Sequence, residues 1–318
     1  MRPESPRIPW LVVVAYAGMC LIWSSTWTVI KFGLRGAPPL TAVSVRFVIA
    51  ALLLALVLLA RRLRLPEVRR FWWLSLTLGI TQVAIPYILV YCAEQRISSG
   101  LSAVLYSTMP LVVALLARVF LGDRLTTAKL VGIAAGIGGV VLIFSDNLHA
   151  ESGIGVGAVL VSVLFASSSS VLTKRHGTTY DPQVLLLPTF LVGGLVTLAL
   201  AAPLERSDPR RYDGLTWMTI LYLAVVGSVL AFSLYLWVLR RVEVTVVSYQ
   251  TFVIPILATL LGWLLLDETI TARTGLGAAL ILTGIAVATV HASRGFPQRR
   301  SGAEPSARES SPPRAKSR

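Results

Sequence analysis

Stretches of about twenty apolar residues, almost free of charge, recur along nearly the whole chain and restrict its possible folds more than any other feature. A helix needs roughly 20 apolar residues to cross a bilayer, where every backbone N–H and C=O has to be satisfied within the segment. Ten stretches fit, at about 10–30, 40–60, 71–93, 100–121, 126–145, 153–174, 183–203, 214–238, 245–266 and 274–292. With 55% hydrophobic and only 14% charged residues among 318, little chain is left for a water-soluble domain. The expected class is an all-α integral membrane protein of ten transmembrane helices. Ala15-Tyr16-Ala17 mimics a signal-peptide cleavage motif. However, only Leu11 to Val14 would form the apolar region before it, against the 7–15 or so residues such a region needs. The first stretch is therefore expected to remain as a span.

The second constraint is a repeat. STMPLVVALLARVFLGDRL at 107–125 has a relative in FVIPILATLLGWLLLDETI at 252–270, with Pro110 matching Pro255. An ungapped offset of 145 also pairs Arg96 with Arg241, Asp123 with Glu268, Gly132 with Gly277 and Gly139 with Gly284. Upstream, an offset of 143 aligns SSTWTVIK (24–31) with SSSSVLTK (167–174) and Pro39 with Pro182. The chain thus reads as two halves of five spans, 1–147 and 148–292, followed by a basic tail at 293–318. Because five is odd, the second half enters the membrane with opposite polarity. Inverted repeats of this kind characterise secondary transporters, whose substrate sites lie near the midplane between the halves.

Charge sets the orientation. With the N-terminus inside, the cytoplasmic side holds Arg2 and Arg7, the cluster Arg61, Arg62, Arg64, Arg69 and Arg70, then Arg124, Lys129, Lys174, Arg175, Arg240 and Arg241. The other side holds Lys31, Arg35, Arg96, Arg206, Arg210, Arg211 and Arg273. Thirteen against seven favours both termini in the cytoplasm. The net charge of +14 is therefore a topology signal, aided by a tail rich in Pro, Ser and Arg, and points to no nucleic acid. Arg118, near the cytoplasmic end of span 4, reads as an orientation marker that snorkels to the inner surface. Its counterpart Trp263 suits the aromatic belt at the other face.

Three segments carry a family resemblance: IWSSTWTVIKFGLRGAPPLTAVSVRF (22–47), SSGLSAVLYSTMPLVVALLARVFLGDRLTTAKLVGIAAGIGGVVLI (98–143) and RRVEVTVVSYQTFVIPILATLLGWLLLDETITARTGLGAALILTGIAVA (240–288). They resemble EamA-type members of the drug/metabolite transporter superfamily, and the resemblance covers nearly the whole chain except the tail. It implies a bacterial inner-membrane carrier with a central cavity walled by spans 1–4 and 6–9, and with spans 5 and 10 at the periphery. Substrates of such carriers include amino acids, other metabolites and drugs. Where the family commonly ends span 4 with Gly-Glu, this chain has Gly122-Asp123 in one half and Asp267-Glu268 in the other.

Candidate working residues follow from what a bilayer penalises. Prolines within spans free a carbonyl, so Pro86, Pro110, Pro188 and Pro255 are read either as packing kinks or as hinges beside the cavity. In span 1, Trp23, Trp27 and Lys31 share one face, with Ser24 nearby; Ser167, Ser170 and Lys174 match in span 6. The hydroxyls suit close helix packing or a polar lining. The lysines suit interfacial snorkelling or paired gates. A bare charge within a span costs at least about 2.5–3.5 kcal/mol, so Arg46 is expected to meet Glu94 or a substrate carboxylate, or to reach the outer interface. Further lining candidates are Gln82, Tyr87, Tyr91, Tyr106, Ser107, Tyr235, Tyr249 and Gln250.

The remaining groups exclude more than they suggest. Asp123, Asp146, Glu151, Asp181, Glu243, Asp267 and Glu268 fall at span ends or loops, which leaves only Glu94 even marginally intramembrane for proton coupling. Cys20 and Cys92 have no metal-ligand spacing and read as packing residues, and no phosphate-binding glycine loop is present. No metal or cofactor is expected. Gly132-xxx-Gly136 suits packing inside the chain or between two copies in a homodimer. A carrier of small organic solutes in the lipid bilayer, most simply an exporter, is favoured. A membrane-embedded enzyme or lipid-handling protein would want a nucleophile, metal cluster or carboxylate pair inside the spans.

Overall fold

The computed structural model describes residues 10–122, 125–146, 150–177, 179–239, 241 and 250–294. Most of these residues are helical, and none lies in a strand. The first part of the chain forms α1 (Trp10–Gly33), α2 (Pro39–Ala60), α3 (Arg69–Leu78), α4 (Ile85–Glu94), α5 (Ser99–Tyr106), α6 (Met109–Leu121) and α7 (Thr127–Asp146). The second forms α8 (Ala150–His176), α9 (Pro182–Leu204), α10 (Gly214–Ala224), α11 (Ala231–Leu239), α12 (Gln250–Leu266) and α13 (Ala272–Arg294). Among the described residues, seven helical rods of 22–26 residues are long and apolar enough to cross a membrane. They are α1, α2, α3 with α4, α5 with α6, α8, α9, and α10 with α11. In the stretches expected as spans 5, 9 and 10 the apolar helical segments are shorter, at Thr127–Ile143 within α7, Gln250–Leu266 in α12 and Ala272–Val287 within α13.

Local chemistry sets several helix starts. Asp181, Asp213 and Ser98 accept hydrogen bonds from Gln183 N, Thr216 N and Leu101 N respectively. Pro39 and Pro182 sit in the first turn, where a missing N–H costs nothing. Two more starts are capped from far along the chain. Glu205, just past α9, accepts from Leu40 N, Thr41 N and Thr41 Oγ1 at the start of α2. Glu268, just past α12, accepts from Ser99 N, Gly100 N and Ser99 Oγ at the start of α5. At the other end of α6, Gly122 takes φ +73°, a left-handed conformation that favours glycine.

The helices are not uniform rods. A π-helical turn, Gly79–Ala84, joins α3 to α4 and ends with Ile85 N–H bonded to the carbonyl of Ile80. It lies just before Pro86, whose ring would clash with the carbonyl four residues back; the wider turn relieves that clash. A second π turn, Val225–Leu230, joins α10 to α11 without a proline, and the Ser228 hydroxyl bonds the carbonyl of Leu223 there. Span 4 is interrupted between α5 and α6, where Ser107 and Thr108 hydroxyls donate to the carbonyls of Val104 and Leu105. Pro110 therefore lies in the first turn of α6, whereas Pro255 lies inside α12. The two prolines align in sequence, yet only the first starts a new helix.

Packing has a crossed pattern. α4 packs on α8 while α1 packs on α10 and α11; α1 packs on α12 while α5 and α6 pack on α8; α2 pairs with α9 and α7 with α13. At the α7–α13 contact, a Cβ on Gly139 would fall 2.6 Å from the carbonyl oxygen of Gly277, and one on Gly284 would fall 2.6 Å from that of Gly132. Since 132 meets 284 and 139 meets 277, the two helices run antiparallel. The glycine face of α7 is thus occupied within the chain by α13. Outward, Leu56, Leu59, Val119, Ile137, Val141, Leu264 and Leu276 are exposed, an apolar exterior typical of a lipid-facing bundle. Arg118 and Trp263 lie on this exposed surface.

Candidate functional site

A cavity of about 330 Å³ opens between α1, the first π turn with α4, α5–α6, α8, α11 and α12. About half of its lining comes in equivalent pairs from the two halves. Trp23 and Ala166 both line it, as do Trp27 and Ser170, Tyr87 and Phe232, Val90 and Tyr235, Tyr106 and Thr251, and Pro110 and Pro255. The first two pairs are separated by the offset of 143 and the others by 145. The pairs differ in chemistry: the α1 wall is aromatic where the α8 wall is small or hydroxylated. Ring contacts hold the aromatic side, with Trp23 edge-on to Phe232 at 5.5 Å and Trp27 edge-on to Tyr106 at 5.4 Å.

Arg46 is the charged group of this space. It lies on α2, 2% exposed, and lines the cavity. Its Nε donates to the Ser228 hydroxyl at 3.2 Å and its Nη1 to the Tyr91 hydroxyl at 3.1 Å. The guanidinium carbon sits 4.9 Å from the Tyr87 ring centroid and 5.1 Å from that of Phe47, within cation–π range. Neutral hydroxyls and ring faces steady the cation without neutralising it, so it keeps its attraction for an anionic group. The expected pairing of Arg46 with Glu94 is not made. Tyr91, one turn before Glu94, takes the arginine instead, and neither Glu94 oxygen has a hydrogen-bond partner among the described residues.

At one end of the bundle a second, polar pocket of about 570 Å³ is lined by Lys31, Arg35, Glu94, Arg96, Ser98 and Glu268, among others. Lys31 Nζ donates to the carbonyl of Ile97 at 2.5 Å, tying α1 to the α4–α5 turn. Neighbouring positions of α1 and α4 line the two spaces: Ile30 and Val90 the cavity, Lys31 and Glu94 the end pocket.

The structure gathers Trp23, Trp27, Arg46, Gln82, Pro86, Tyr87, Tyr106, Ser107, Pro110, Ser170, Tyr235, Gln250 and Pro255 around the cavity. Others lie elsewhere. Ser24 and Ser167 are buried and spend their hydroxyls on the carbonyls of Cys20 and Met109. Tyr91 lies behind Arg46 as its partner, Pro188 is buried within α9, Lys174 is exposed near the end of α8, and Tyr249 lies outside the described residues. Reading the sequence missed Phe232 and Thr251 as lining residues and Ser228 as an arginine partner. The repeat offset could have found two of them, since Phe232 matches Tyr87 and Thr251 matches Tyr106.

Comparison with known proteins fits this architecture. Residues 10–145 and, separately, 153–290 match the EamA-like transporter family. The uncharacterized inner membrane transporter YedA of Escherichia coli K12 is 30% identical over 285 residues, covering 87% of this chain and 90% of YedA. A probable amino-acid metabolite efflux pump of the same organism is 26% identical over 276 residues, covering 83% of this chain and 90% of the pump. A protein of solved crystal structure superposes with a TM-score of 0.66 at 20% identity, covering 90% of this chain and 99% of that one, and so shares the fold. With both segments matched, the chain belongs to the EamA-like transporter family.

Proposed function

We propose that this protein is a secondary carrier that exports small organic solutes across the bacterial inner membrane by alternating access. The favoured class is amino acids or related carboxylates, with drugs as the broader possibility. The observation that carries this reading is the cavity lined by equivalent residues of the two halves around buried Arg46. Arg46 binds a carboxylate, while Trp23, Trp27 and Tyr106 hold an apolar or flat portion of the solute. Gln82, Ser107 and Gln250 supply neutral hydrogen-bonding groups. The relative named as an amino-acid metabolite efflux pump supports the same solute class and direction.

Alternating access here rests on ten spans in two inverted halves, 1–147 and 148–292, with both termini and the tail at 293–318 in the cytoplasm. The crossed packing supports this: α4 on α8 mirrors α11 on α1, and the equivalent helices α7 and α13 run antiparallel. On this topology the end pocket faces the outside, and opening one end while closing the other exchanges the roles of the halves.

A resistance and efflux panel tests the reading. Cells expressing the protein are challenged with amino acids, amino-acid analogues and toxic organic acids beside empty-vector cells. Selective resistance with lowered intracellular solute is expected; identical behaviour across the panel would overturn the reading.

A further inference from the structure

Glu94 is the last residue of α4 and is fully buried, with both carboxyl oxygens unpartnered among the described residues. Its fate differs from that of Glu205 and Glu268, each of which accepts three hydrogen bonds at a helix start. Its position is equally particular. Val90, one turn earlier on the same helix, lines the central cavity, while Glu94 lines the end pocket. One turn is about 5.4 Å, so this carboxyl stands in the wall between the two spaces. A bare carboxylate is costly in such a place, and an ionisable residue within a span marks a solute or proton path more often than a packing role.

The groups around it suit a switch. Lys31 from α1, Arg46 from α2 and Glu268 from the segment after α12 act on Glu94 electrostatically. Arg35 and Arg96 line the same pocket, and Tyr87 and Tyr91 lie on its own helix. Among the other packed elements, α5 has no ionisable side chain except Tyr106, and α8 has none between Glu151 and Lys174. Lys31 is engaged by the Ile97 carbonyl, which ties α1 to the α4–α5 turn. A protonated Glu94 leaves that bond alone, whereas a Glu94 carboxylate competes for the lysine ammonium.

We propose that Glu94 is a proton-carrying site in the wall between cavity and end pocket, which couples solute export to proton entry. One proton binds from the end pocket and one leaves toward the cavity per cycle, and its departure draws Lys31 off Ile97 so that the wall can open. The proposal rests on the carrier reading above, but its proton site can be tested without any solute.

The test uses the full chain in proteoliposomes, as wild type and as Glu94→Gln, with Glu94→Asp as a control that keeps the carboxyl. Infrared titration reads protonated carboxyl directly: wild type and Glu94→Asp are expected to show a pH-dependent band that Glu94→Gln lacks. The same band in Glu94→Gln would overturn the proposal. Exchange of a radiolabelled neutral amino-acid mixture is then followed with and without an inside-acid gradient, with the membrane potential clamped. Wild type is expected to accumulate solute by up to about tenfold per pH unit, the limit for one-for-one exchange. Glu94→Gln, which cannot draw Lys31 off Ile97, is expected to exchange far more slowly, at a rate that no longer varies with pH, and to accumulate nothing. A wild type that exchanges solute but ignores the gradient would overturn coupling, as would gradient-driven accumulation by Glu94→Gln. A wild type that exchanges none of the mixture speaks against the carrier reading instead, and the infrared result then decides the proton site alone.

Discussion

Arg46 and Ser228 stand 182 residues apart in sequence, yet the arginine Nε donates to the serine hydroxyl at 3.2 Å, joining α2 of the first half to the π turn of the second. The same hydroxyl donates to the carbonyl of Leu223, so one serine steadies both the irregular backbone and the buried cation. Ser228→Ala leaves an N–H of a buried charged group without its acceptor, and the expected loss is about 1–3 kcal/mol. Tyr91→Phe removes the second partner and has a loss of similar size. A thermal unfolding cycle in detergent checks this, with a coupling of roughly 0.5–3 kcal/mol between the two substitutions because they share Arg46. Strict additivity would show that the two hydroxyls do not act on one cation.

The long-range caps are expected to act separately. Glu268→Ala removes the acceptor for Ser99 N and Gly100 N, and Glu205→Ala removes that for Leu40 N and Thr41 N. Each is expected to cost about 1 kcal/mol, as for other lost N-caps, and the two effects should add because they share no partner. Thermal midpoints of the two single variants and the double variant test this.

Small residues at the α7–α13 crossing are required by the approach of backbone to backbone. Gly139→Ala and Gly284→Ala each place a methyl about 2.6 Å from a carbonyl oxygen, so the helices have to move apart at a cost of roughly 1–3 kcal/mol. Gly275→Ala, where a Cβ meets nothing within 4 Å, is the control and should be neutral or mildly stabilising. Equal stability for all three would deny the close crossing.

The symmetric prolines are expected to matter for motion more than for folding. Pro110 opens α6 after the Ser107–Thr108 break, and Pro255 interrupts the ladder of α12; both line the cavity. Pro110→Ala and Pro255→Ala should each lower transport by about fivefold or more with folded yield maintained, as expected of hinge positions. Near-normal transport by both variants would assign them to packing.

Much of the fold could be read in the residues because a bilayer imposes length and apolarity on each segment separately. The seven long rods, the three shorter apolar segments and the shared face of Trp23 and Trp27 all follow from such local rules. What depends on which partner a polar group chooses could not be read this way. Ser24 looks like a lining hydroxyl in sequence, but a buried serine readily bonds back to a carbonyl of its own helix, and it does so to Cys20. Glu268 looks like a loop acid until its helix is seen beside the start of α5. Arg46 was marked by its cost in a span, yet its partners came from a tyrosine and a serine that carry no such mark. The second π turn, lacking a proline, has no comparable local signal.

Counterflow tests the central claim most directly. Proteoliposomes preloaded with excess unlabelled amino acids are placed in a trace of the same compounds in labelled form. A carrier that alternates through the Arg46 cavity is expected to give a transient overshoot of label inside, abolished in Arg46→Gln for carboxylate solutes although that variant still folds. No overshoot with any solute tried, or an equal overshoot with Arg46→Gln, would contradict the account.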